Sequence, residues 1–123
     1  MVLGFVLMAG SAQAVEWSYV ESAGSSDAYI DRETIRRNGN TARAWSLADY
    51  ARPQTELFGT FSSTRSLGEY DCAEQRSRGL QVHALAGNMA RGEIVASVTP
   101  PGEWSYVAPG TMTEALMEAV CGR

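Results

Sequence analysis

The sequence predicts an α+β protein in which an antiparallel sheet is followed by a C-terminal helix packed on one face and held there by a disulfide. Three observations carry this. Short segments that alternate large apolar with polar residues fill the chain from residue 16 to 98, as half-buried strands do. A single amphipathic helical pattern closes the chain, and there are only two cysteines, Cys72 and Cys121. Strands grouped ahead of a lone helix read as an α+β arrangement.

At 123 residues the chain has room for one domain. Its hydrophobic content of 45%, with 20% charged residues, belongs to a globular protein rather than a disordered one. The net charge of -4 and the lack of a basic stripe argue against a nucleic-acid partner. No polybasic segment suits anionic lipid. All 10 basic residues are arginine, which we read as base composition before any function.

Residues Val2–Ala9 form a short apolar run, followed by Ala12-Gln13-Ala14. Small residues stand where a signal peptidase reads, so residues 1–14 are expected to be an export signal cleaved after Ala14, leaving 15–123 as one domain. The run is too short to span a bilayer, which takes about 20 residues, so no stable membrane insertion is expected. No Lys or Arg precedes it, which leaves open an upstream start or a role for the α-amino charge alone. An exported protein meets oxidising conditions, where a pair of cysteines defaults to a disulfide. Closing a loop of about 50 residues this way contributes roughly 4 kcal/mol.

The elements follow in order. Glu16–Val20 alternates as a strand and Ser22–Ser26 is a loop. Asp27–Asp31 is a second strand, and Arg32–Arg37 reads as one helical turn closed by Asn38-Gly39. Thr41–Arg52 is a strand that Pro53 is expected to stop. Phe58–Cys72, Leu80–Ala86 and Glu93–Val98 are further strands, and Pro100-Pro101-Gly102 is expected to end the sheet. Thr111 and Glu114 match a capping box. Beyond it Leu116, Met117, Val120 and Cys121 fall within an arc of about 140°. Cys121 therefore belongs to the buried stripe, within reach of the sheet.

Catalytic chemistry finds little support. His83 is the single histidine, on a strand face opposite Leu80 and Val82, with no partners at zinc-ligand spacing. Both cysteines are committed, leaving no thiol nucleophile. The acidic Glu69, Asp71 and Glu74 read as solvated charge, with Arg76, Arg78 and Arg91 as candidate surface partners, rather than as a calcium loop. No phosphate-binding glycine loop is present. No metal, cofactor or catalytic residue is assigned, and the protein is read as a non-enzyme.

One feature stands apart. Glu16-Trp17-Ser18-Tyr19-Val20 recurs as Glu103-Trp104-Ser105-Tyr106-Val107 with unmatched flanks. We read the two as aromatic segments packing near each other. The alternative is a ligand platform of Trp17, Tyr19, Trp104 and Tyr106.

The succession Trp17, Tyr29-Ile30-Asp31, Trp45 with Asp49-Tyr50, Glu69-Tyr70-Asp71-Cys72, Asn88-Met89-Ala90-Arg91-Gly92, and Trp104 through Pro109-Gly110-Thr111 to Cys121 resembles the surface-adhesin protein E family of proteobacteria. The resemblance implies an antiparallel sheet of about six strands with a disulfide-held C-terminal helix. It also implies export to the periplasm or cell surface and a protein partner among host matrix and plasma proteins, such as vitronectin, laminin or plasminogen, or within the bacterial envelope. Homodimerisation, for which an exposed sheet edge would serve, is implied too. This sequence has no lipid-attachment cysteine after its apolar run and no lysine-rich stretch, and no host-binding residue transfers by motif.

Overall fold

The computed structural model describes residues 15–122; the expected export signal, residues 1–14 with its cleavage after Ala14, lies outside them. The elements are β1 (Ser18–Ser22), β2 (Ser26–Ile30), β3 (Arg36–Asn38), β4 (Thr41–Glu56), β5 (Gly59–Asp71), β6 (Arg76–Leu85), β7 (Ile94–Val98), β8 (Ser105–Tyr106) and α1 (Met112–Cys121). Single 3-10 turns occupy Arg32–Thr34 and Asn88–Ala90. The strands make one sheet in the order β1-β2-β4-β5-β6-β7, with the short β3 beside β4 and β8 beside β6. Every pairing is antiparallel. The α+β class, the helix and the disulfide are as the sequence predicted, and the two short strands are additional to the six expected.

Three local expectations are corrected. Arg32–Arg37 is not one helical turn: a 3-10 turn ends at Thr34, and Arg36–Asn38 pairs with β4. Pro53 does not stop its strand. The β4–β5 register jumps from Asp49↔Ser63 to Gln54↔Phe61, so Pro53 lies in a bulge where no ladder donor is required. The sheet also resumes after Pro100-Pro101-Gly102, because Ser105 and Tyr106 pair with Ser77 and Arg76.

Alternation along the strands gives the sheet two unlike faces. One carries Ile30, Ala42, Ala44 and Tyr70, and against them α1 packs Met117, Val120 and Cys121, all buried. The alanines let the helix approach the centre of the sheet closely. Burial beneath it pushes the Tyr70 phenol up to about 12. The helix starts where Thr111 Oγ1 accepts from the Glu114 amide (3.2 Å) and the Glu114 carboxylate accepts from the Gly110 amide (3.1 Å). It stops at Gly122, whose φ of +77° permits the left-handed cap bonded to Glu118 O. Arg37 donates to Cys121 O at 3.0 Å and satisfies a terminal carbonyl. The Cys72–Cys121 disulfide, with Cα atoms 5.8 Å apart, joins the helix end to the end of β5.

The repeated pentapeptides are not neighbours in the sheet, where β2, β4, β5 and β6 separate β1 from β8. What they share is a role: Val20 and Val107 both pack against the cluster beneath the helix, one from each side of the sheet.

Candidate ligand groove on the helix-free face

The opposite face carries the odd-numbered residues of β4 and β5. Cross-strand register sets Arg43 opposite Glu69 and Glu69 opposite Arg78, and Asp71 opposite Arg76. Glu69 accepts from Arg43 Nε and Arg78 Nε, each at 2.7 Å, and pairs with Arg78 Nη2 as well. Asp71 accepts from Arg76 at 2.7 Å and from the Glu74 amide at 3.0 Å. These two acids are buried in the ladder and are not the solvated cluster expected from sequence. Burial pulls the Glu69 carboxyl upward, but the bonds from Arg43 and Arg78 outweigh it and hold the group below the ordinary range. For Asp71 the Arg76 bond is the main cause of a lowered value. Arg76 and Arg78 also stand over the Trp104 ring, 5.2 and 4.5 Å from its centroid. This stacking anchors the chain that leads into β8.

Beyond the ladder the face opens. The N-terminal stretch Val15–Trp17, the Asp31–Thr34 turn, Trp45, Arg65 and His83 line a cavity of about 260 Å³. A second, of about 280 Å³, shares Val15, Trp17 and Arg65 with it and continues to Met89, Ala90 and Arg91. Together they form one groove divided by Trp17 and Arg65. Arg65 Nε donates to His83 Nδ1 at 3.0 Å, and the Trp45 and His83 rings lie 5.6 Å apart. Burial pushes the imidazole below its usual value, and the Arg65 charge adds to this. The imidazole is thus neutral at pH 7, with Nδ1 serving as an acceptor.

Both walls are fixed by hydrogen bonds. On one side Thr34 Oγ1 accepts from the Trp45 amide (3.1 Å) and donates to Asp31 O (2.8 Å). On the other, Met89 and Ala90 hold φ values of 57° and 59°, a left-handed conformation costly for residues with a Cβ. Asp49 Oδ1 accepts from the Met89 amide (2.8 Å), while the fully buried Ser63 accepts from the Ala90 amide (3.0 Å) and donates to Gly87 O (2.6 Å). The strained turn is thereby held over β4 and β5.

Of the aromatic residues picked out in the sequence, Trp17 lines both halves of the groove. Tyr19 is exposed nearby, edge-on to Tyr29 at 5.8 Å. Trp104 packs against Arg76 and Arg78 on the same face but away from the groove, and the exposed Tyr106 lies on β8 beside β6. Sequence reasoning did not select Trp45, Arg65 or Arg91 as site residues. The Asn88–Gly92 motif and the alternation around Trp45 were visible signals, but bringing them together required the strand register. Among the described residues no group of three or more His, Cys, Asp or Glu is placed to hold a metal ion, and no helix is long and apolar enough to cross a membrane.

The sheet is thus covered by a helix on one face and carries arginine and aromatic side chains around the groove on the other. A family model described as surface-adhesin protein E matches residues 17–122, and the chain belongs to that family. Membership makes it an adhesin-like protein of an exported or surface-located class. The fold is similar to the crystal structure of protein E from non-typeable Haemophilus influenzae (TM-score 0.61, 13% identity, 89% of this chain and 79% of that one). It is similar also to the selenomethionine form of Haemophilus influenzae protein E (TM-score 0.60, 13% identity, 84% and 90%). A second crystal form of that protein gives a TM-score of 0.58 at 13% identity, covering 89% and 94%. No curated protein sequence matches the chain.

Proposed function

We propose that this protein is an exported, non-enzymatic adhesin-like module that uses the helix-free face of its sheet to bind a protein partner of the host matrix or plasma. The observation that carries this reading is the groove of Trp17, Trp45, Arg65 and His83, which stays open while α1 covers the other face. Aromatic and arginine side chains are the residue types that dominate protein interfaces. Tyr19 and Tyr29 extend the same surface toward the β1 edge.

Solid-phase binding to a panel of immobilised matrix and plasma proteins tests the proposal, paired with fractionation of the producing cells. Saturable binding is expected, weakened by Trp17→Ala and Arg65→Gln and unchanged by Glu118→Gln on the exposed side of α1. Protein confined to the periplasm that captures only an envelope component would replace adhesion with an envelope role.

A further inference from the structure

Four arginines of β4, β5 and β6 project from the helix-free face, and three are matched. Arg43 and Arg78 share Glu69, and Arg76 holds Asp71. Arg65 is the exception. Among the described residues its one polar partner is the neutral His83 nitrogen, and no carboxylate lies within ion-pair distance. Arg91, on the turn at the far end of the groove, has no acidic partner among the described residues either. Among the described residues the one acid lining the groove, Asp31, sits away from Arg91 and is occupied in capping its own turn at the Glu33 amide.

The groove is therefore polarised. Its first half adds Trp45 to the shared Val15 and Trp17, while the second half brings Arg65 and Arg91 together beside Met89 and Ala90. A half-buried guanidinium without a counter-charge retains strong, directional donors suited to a carboxylate. The turn that bears Arg91 is strained and yet tied down through Asp49 and Ser63. That combination fixes the backbone from which the exposed Arg91 side chain extends.

We propose that the groove binds an extended acidic peptide segment of a protein partner. A side-chain carboxylate sits between Arg65 and Arg91, and a neighbouring aromatic or large aliphatic side chain lies against Trp17 and Trp45. The inference rests on the protein-binding reading and specifies its chemistry: the site selects a pair of residues, one acidic and one apolar, rather than a general negative surface. His83 positions the Arg65 guanidinium through its Nδ1 bond.

Selection of displayed random heptapeptides on the immobilised full chain tests this, with the best sequence then made synthetically and titrated against tryptophan emission. The expected consensus has Asp or Glu beside Phe, Tyr, Trp or Leu. Arg65→Gln or Arg91→Gln should weaken binding at least tenfold, and so should Glu→Gln or Asp→Asn within the peptide, which is about 1.4 kcal/mol. Arg91 is exposed on its turn, so its variant tests the site even if Arg65→Gln disturbs folding. A consensus without an acid, peptides that bind both variants undiminished, or no enrichment alongside Arg65-dependent binding of a sulfated oligosaccharide would each overturn the proposal. Failure of the host-protein panel with a positive peptide selection would overturn host adhesion and leave the groove assignment standing.

Discussion

Replacing both cysteines, as Cys72→Ala with Cys121→Ala, removes the constraint that holds α1 on the sheet, and its cost follows from the structure. The bond closes a loop with a sequence separation of 49, for which the chain-entropy relation gives about 4 kcal/mol at 25 °C. The helix has only 10 residues, fewer than an isolated helix needs to persist in water. Its remaining hold is the burial of Met117 and Val120 against Ile30, Ala42, Ala44 and Tyr70, with the Arg37 bond to the carbonyl of residue 121. Urea unfolding followed by circular dichroism should give a free energy lower by about 4 kcal/mol, and thermal melting a midpoint lower by roughly 15–20 °C. Alanine at both positions avoids burying a lone hydroxyl or leaving a thiol free to cross-link. A variant within about 1 kcal/mol of the native protein would refute the reasoning, because the helix would then be held by packing alone.

Three further outcomes follow from the same contacts. Ser63→Ala removes a buried hydroxyl that bonds both Gly87 O and the Ala90 amide, so it should cost about 1–3 kcal/mol in urea unfolding and raise hydrogen exchange at Met89 and Ala90. Trp104→Ala strips the ring from beneath Arg76 and Arg78; a loss of about 1–2 kcal/mol is expected, with β8 amides exchanging faster and those of α1 unaffected. Glu69 and Asp71 have folded-state values below their ordinary ones, so their contribution is present above the unfolded carboxylate range and is lost as pH falls through the folded values. Melting midpoints measured between pH 7 and 2 should therefore fall below about pH 4, and Glu69→Gln should flatten that fall.

Most of the architecture was legible in local signals. The Thr111–Glu114 capping box, the stripe ending at Cys121 and the alternation around Trp45 each match the observed elements. Misreadings came where partners distant in sequence decide. Pro53 stays in a strand because a bulge opposite Ser62 frees it from the ladder, and Arg36–Asn38 becomes a strand because β4 offers an edge. Arg76 and Arg78 stood out as partners of Glu69 and Asp71, but the place of Arg43 opposite Glu69 and the burial of both acids follow only from register. The groove was less legible still. Trp17, Trp45, Arg65, His83 and Arg91 come from five separate segments, and nothing in their spacing brings them together. The repeated Trp-Ser-Tyr-Val was conspicuous for another reason, its two valines closing the two sides of one core.

Nuclear magnetic resonance mapping of the full chain with a bound protein partner tests the central claim most directly. Perturbation is expected at the indoles of Trp17 and Trp45, the Arg65 guanidinium, the His83 ring and the Asn88–Gly92 amides. Perturbation confined to α1, or to the β7 and β8 edge, with the groove unchanged, would contradict it.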